Sequence, residues 1–131
     1  MLSYDLNSKI LSLAPKHQAK PIAPDSLESL IRASTSPMVV YDGGSDNTIY
    51  GDPRVNHAFR AWHDSLHLKL NAPFDLAGET RVGLEQARIL GGAYAEIVLC
   101  EVIGQIEYFN RYQAFPVNQL EFCLNYLKGR F

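Results

Sequence analysis

From Ala93 to Gln113 the chain carries apolar residues on nearly every helical face, among them Ile97, Val98, Leu99, Cys100, Val102, Ile103, Ile106 and Phe109. A helix apolar all round has no face to give to water, so other helices must enclose it. The enclosing candidates lie on either side. Asp52 and Pro53 start a helix as N-cap and first helical residue, and the pattern runs to 71. Asp75 caps another over 76–90, stopped by Gly91-Gly92, and Phe115-Pro116 separates the central helix from a last one over 117–128. Short connections between successive long helices favour antiparallel neighbours. The expected fold is therefore mainly α, a compact bundle of about four helices at 53–71, 76–90, 93–113 and 117–128.

The first fifty residues read differently. Leu6, Ile10, Leu11 and Leu13 give a short N-terminal helix that could dock on the core or on a partner, and Pro15, Pro21 and Pro24 keep the next stretch extended as a linker. The expected organisation is an N-terminal segment with a Pro-rich linker over 1–24 and a single helical domain with a hairpin over 25–131. Asp25 and Glu28 have capping-box spacing before a short helix. Met38 to Tyr41 and Thr48 to Gly51 flank a Gly/Asp/Asn turn, the pattern of a small β-hairpin over 38–50. Asp42-Gly43-Gly44-Ser45 lacks the lysine and following helix of a phosphate-binding loop, so it reads as a plain turn.

Charge and cysteine usage narrow the setting. With 12 basic and 14 acidic residues the net charge is −2, and the lysines and arginines form no run. That leaves no electrostatic footprint for nucleic acid or an anionic membrane. No apolar stretch approaches the ~18 residues that a membrane span needs. Two cysteines inside apolar helical patterns, behind no signal-peptide pattern, point to a reducing cytoplasm.

The polar residues that face inward are few. At 100° per residue, Val55, Ala58, Phe59, Trp62, Leu66 and Leu70 share the inner face of the first long helix. His63 and His67 sit on its shoulder at i and i+4, while His57 and Asp64 point away. In the next helix Leu76, Val82, Gly83, Ala87, Ile89 and Leu90 mark the inner face, with Glu79 amid them. Glu101 lies on a flank of the central helix. Two imidazoles and two carboxylates are a donor set that suits zinc, manganese or iron, so one divalent metal is a candidate cofactor, with His63, His67, Glu79 and Glu101 as candidate ligands. Gln86 and Gln105 are the expected hydrogen-bonding supports behind them. Two other readings of the same residues stay open. One is a satisfied His/Glu network that only orients helices, and the other a metal-free acid/base or ligand pocket.

Asp64-Ser65-Leu66-His67 has the carboxylate-x-x-His form of di-iron bundles, but a second such element is missing. His63-Asp64 resembles the paired residues of HD-type phosphohydrolases, without the upstream histidine and distal aspartate that those enzymes need. The Glu-x-x-Glu pairs of all-helical nucleotide pyrophosphohydrolases are also lacking. The run Phe59-Arg60-Ala61-Trp62-His63-Asp64, with Phe74, Gly78-Glu79 and Gly104-Gln105, resembles small uncharacterised proteins encoded by tailed phages, over roughly the C-terminal 80 residues. That resemblance implies a viral accessory protein working in the host cytoplasm. The resulting expectation is a small helical accessory or interaction protein with a protein partner and a buried His/Glu cluster able to bind a metal. The alternative is a metal-dependent hydrolase of a phosphate-bearing substrate, with Glu101 as ligand or general base.

Overall fold

A computed structural model of the chain describes residues 4–33 and 37–128. The element order is α1 (Tyr4–Leu13), β1 (His17–Lys20), α2 (Leu27–Arg32), β2 (Met38–Tyr41), α3 (Pro53–Leu70), α4 (Leu76–Leu90), α5 (Tyr94–Val98), a π-helical segment (Leu99–Gly104), α6 (Gln105–Tyr112) and α7 (Gln119–Lys128). The mainly α bundle forms as expected. Helices α5 and α6 and the π-helical segment between them occupy the span read as one central helix.

The helix ends follow local chemistry. The Asp52 side chain accepts from the Arg54 amide, Pro53 fills the first turn, and Asn71 closes α3 in the left-handed region at φ 51°. Asp75 accepts from the Gly78 amide, and Gly91 ends α4 at φ 66°. Asn118 caps α7 through the Glu121 amide at 3.0 Å. At α2 the capping box is shifted by one residue. Ser26 is the N-cap and Ser29 closes the box, in place of Asp25 and Glu28. A serine pair can exchange both hydrogen bonds over the same spacing.

The hairpin over 38–50 does not form. Strand β2 is present, but it pairs in parallel with β1, in the register His17↔Met38 to Lys20↔Tyr41, and α2 makes the crossover. Thr48, Ile49 and Tyr50 are buried one after another, at 2%, 4% and 1% exposure. An edge strand of a surface hairpin would alternate inward and outward side chains, whereas a turn at Ile49 and Tyr50 takes all three into the core. That turn is held by the Leu120 amide, which donates to the Asn47 carbonyl at 2.9 Å. His17, within the stretch expected as an extended linker, lies in β1.

The core runs through all the long helices. Phe59, Trp62 and Leu66 of α3 meet Val82 and Leu90 of α4, Val98 of α5, Cys100 and Val102 of the π-helical segment, and Cys123 of α7. Gly83 permits the close approach of α4, since a β-carbon there would stand 3.0 Å from Val102 Cγ1. Leu76 and Ile89, expected inside, are 48% and 37% exposed, because only the Val82, Gln86 and Leu90 side of α4 faces its neighbours.

The N-terminal segment docks on the core. Leu6 and Ile10 are 2% and 0% exposed within the same cluster, and Asn7 Nδ2 donates to the Tyr50 carbonyl at 3.0 Å. Residues before the boundary expected at 24 thus share one core with those after it. Truncating Ile10 to alanine removes a fully enclosed side chain, and the expected loss is about 2–5 kcal/mol of unfolding free energy. Urea denaturation followed by circular dichroism measures it. A change within about ±0.5 kcal/mol would mean that α1 is not part of the cooperative core.

Candidate metal centre

His67 is the best-fixed side chain of the cluster. It is fully buried, and its Nδ1 faces the Ala72 carbonyl at 2.8 Å. A carbonyl oxygen only accepts, so Nδ1 carries the proton and the Nε2 of neutral His67 presents a lone pair. Local sequence explains the contact. Asn71 turns the chain out of α3, the Ala72 amide donates back to the His67 carbonyl at 3.0 Å, and the Ala72 carbonyl is then level with the imidazole. Phe74 packs on the ring with centroids 4.3 Å apart.

His63, one turn earlier, is held in the same way from the opposite side. Its Nδ1 donates to Gln86 Oε1 at 2.7 Å, and its ring lies near-parallel to Phe59. Its Nε2 is 2.7 Å from Glu79 Oε2 and 3.1 Å from His67 Nε2, while His67 Nε2 is 3.3 Å from the same carboxylate oxygen. Three acceptor atoms on neutral imidazoles and a carboxylate thus converge on one point. Lone pairs so close repel unless a cation sits among them. A proton on His63 is one such cation. A divalent metal is the other: ligand atoms about 2.0–2.2 Å from a tetrahedral ion stand roughly 3.3–3.6 Å apart, so the 3.3 Å separation already fits while the 2.7 and 3.1 Å separations would widen around an ion. The donor set suits zinc, iron or manganese, and imidazoles anchored through Nδ1 to carbonyl oxygens are the usual support of such ligands.

The electrostatics express the same demand. Burial works against the His63 imidazolium, but the Glu79 hydrogen bond and charge outweigh it and raise its pKa. Burial likewise opposes ionisation of Glu79, yet the His63 hydrogen bond and the neighbouring imidazoles outweigh it and hold its pKa down to about 2.

His63 and Glu79 also line a cleft of about 470 Å³, shared with Asn56, Phe59, Arg60 and Glu101. Arg60 Nη1 donates to the Tyr41 and Gly43 carbonyls at 2.6 Å each, which fixes the guanidinium at the cleft wall. Burial lowers the Arg60 pKa, against the raising effect of Glu101.

Of the six expected site residues, His63, His67 and Glu79 come together, and Gln86 supports His63 as expected. Glu101 does not join them. It groups with Cys100 and Cys123, and Gln105 supports Glu101 rather than the histidines, donating through Nε2 at 3.3 Å. Glu101 lies on the π-helical segment Leu99–Gly104 and Gln105 directly follows it. Asp64, expected to face solvent, is half-buried beside Pro21, Ile22, Pro24 and Arg60, because the N-terminal segment folds over that side of α3. Burial raises its pKa to about 6, although His63 and His67 oppose the shift. His57 is partly buried and outside the cluster.

The sequence reading missed Arg60; its place three residues before His63, on the same side of the helix, is the signal that could have found it. The Ala72 carbonyl carries no side-chain signal at all.

No protein-family model, curated protein or solved structure matches the chain, so the geometry alone carries the functional reading. No helix among the described residues is long and apolar enough to cross a membrane.

The shifts give a pH test for chelator-treated protein. Glu79 has a folded pKa near 2 against an ordinary 4.5. It therefore stabilises the fold above about pH 4.5, and that contribution fades as pH falls towards 2. Asp64 is shifted the other way, from 3.8 to about 6, so it lowers stability as pH rises through that window. In melting curves taken from about pH 2 to 7, Glu79→Gln should flatten the acid limb below about 4.5. Asp64→Asn should remove the decline between about 4 and 6. Unchanged limbs in both variants would contradict the assigned environments.

Proposed function

We propose that the protein is a metal-dependent hydrolase of a phosphate-bearing substrate, built on one divalent ion held by His63, His67 and Glu79. The observation that carries the reading is the anchoring of both imidazoles through Nδ1, which turns both Nε2 lone pairs onto Glu79 Oε2. A purely structural ion pair needs one protonated histidine. Two converging imidazoles whose other nitrogens are both tied to carbonyl oxygens fit a ligand set better than a pair.

Three protein ligands leave a coordination position for water or substrate, the pattern of catalytic rather than structural zinc. A divalent ion there supplies Lewis-acid activation of water or of a phosphoryl oxygen. The chain's own groups do the rest. His63 and Glu79 face the cleft, whereas His67 is sealed behind them at 0% side-chain exposure. Arg60, with Nη1 engaged by backbone carbonyls, has its remaining N–H groups for an anionic oxygen entering the same cleft. Phe59 and Val102 form an apolar wall that limits water around it.

A second reading keeps the metal but not the chemistry. Phe115 and Val117 are 51% and 103% exposed at the cleft mouth, which favours an accessory protein that docks a partner segment there.

Untagged protein should hold a divalent ion by elemental analysis, and His67→Ala should lose about one equivalent of it while keeping its helical circular dichroism. With Mn²⁺ or Zn²⁺ restored, p-nitrophenyl phosphate or its bis-ester should be hydrolysed. Glu79→Gln should reduce kcat by at least about 100-fold, and Arg60→Ala should act mainly through KM. An ion lost in His67→Ala without turnover of either ester would favour the accessory reading. Equal metal content in wild type and His67→Ala would overturn the centre itself.

A further inference from the structure

Cys100, Glu101 and Cys123 each bring one ligand atom to within 4.8 Å of the others. Cys100 and Glu101 are consecutive on the π-helical segment, and Cys123 comes from α7, which packs against it. Both cysteines are 0% exposed and carry free thiols. Buried thiols alone are ordinary core groups. The polar atoms around them are not.

Glu101 Oε1 is shut off from solvent and has no hydrogen-bond partner, and the same holds for the Tyr50 hydroxyl. Tyr50 is 1% exposed. It lies close enough for Glu101, Cys123 and Cys100 to add to the effect of burial in raising its pKa. A buried carboxyl oxygen without a partner, beside two thiols, is a costly arrangement in an apolar core. Gln105 satisfies only the other carboxyl oxygen.

We propose that Cys100, Cys123 and Glu101 form a second metal site, thiolate-rich and suited to Zn²⁺. Two sulfur donors select a thiophilic ion over magnesium, calcium or manganese. Zn–S bonds of about 2.3 Å and Zn–O bonds near 2.0 Å place ligand atoms roughly 3.3–3.8 Å apart. Side-chain rotation by about an ångström closes the present cluster onto an ion. Binding exchanges the two thiol protons, and the carboxyl proton where Glu101 is protonated, for one divalent ion. The released protons leave to solvent. Glu101 also lines the cleft, which supplies an entry path. The site is closed by protein groups and joins α7 to the π-helical segment, so its role is structural. It shares no ligand with the His63, His67 and Glu79 centre and stands or falls separately.

Cobalt substitution separates the two, because only thiolate ligands give intense near-ultraviolet charge-transfer absorption with Co²⁺. Chelator-stripped, fully reduced protein is titrated with Co²⁺. The band is expected in wild type, unchanged in His67→Ala, and lost in Cys123→Ser. Its absence from wild type, or its survival in Cys123→Ser, would overturn the proposal. Should Cys123→Ser fail to fold, the wild-type protein still decides. Zn²⁺ must slow alkylation of the reduced thiols by iodoacetamide in both wild type and His67→Ala, and equal rates with and without Zn²⁺ would refute the site. Recovery of a Cys100–Cys123 disulfide from protein purified under reducing conditions would also count against it.

Discussion

The bond between His67 Nδ1 and the Ala72 carbonyl is the constraint on which the candidate centre depends. It fixes three things together: the imidazole plane, the tautomer, and the direction of the Nε2 lone pair. Asn71 makes it possible by adopting a left-handed conformation that its short polar side chain tolerates. The same turn delivers Phe74 onto the imidazole face and Asp75 to the start of α4. Helix α4 then begins where Glu79, in its first turn, reaches His63 and His67. The tight α3–α4 connection therefore builds most of the centre by itself, and Gln86 completes it two turns later.

The legible parts of the fold were those decided by neighbours in sequence. Asp52 with Pro53, Asp75, Gly91 and Asn118 mark helix ends through bonds spanning two to four residues, and they can be read without knowing the rest of the molecule. His63, His67 and Glu79 were legible for a related reason. The i, i+4 spacing places two imidazoles on one side of α3, and a carboxylate amid apolar residues of the adjoining helix must find a partner. What escaped the sequence was decided at a distance. β2 has the composition of a hairpin strand, yet its partner is β1, across α2, because Thr48 to Tyr50 are all taken into the core. Asp64 looks solvated on a helical wheel until Pro21 to Asp25 fold over it. Glu101 falls in a different cluster from the one its wheel position suggests, because a wheel at a constant 100° cannot register a change of helix type.

The two clusters differ in ways that follow from their donors. The histidine centre has one face towards a cleft and one sealed wall. Its nitrogen and oxygen donors suit borderline ions that exchange water readily. The cysteine cluster is sulfur-rich, with one carboxyl oxygen of Glu101 shut off from solvent and without a hydrogen-bond partner. Val102 and Gly83 pack in the contact between α4 and the π-helical segment, so apolar contacts rather than a shared ligand connect the helices that carry the two clusters.

The π-helical segment Leu99–Gly104 has a consequence for how this chain could have arisen and could vary. A π turn accommodates about one residue more than an α turn, so it is what remains when a single codon is added inside a helix whose two ends stay docked. The flanking stretches Tyr94–Val98 and Gln105–Tyr112 keep their helical form, and only the side chains between them are re-aimed. In a related chain one residue shorter here, the helix would be regular, the bundle could be the same, and Glu101 would point elsewhere. Length at this position, rather than residue identity alone, would then separate chains that carry the cysteine cluster from chains that carry only the histidine centre.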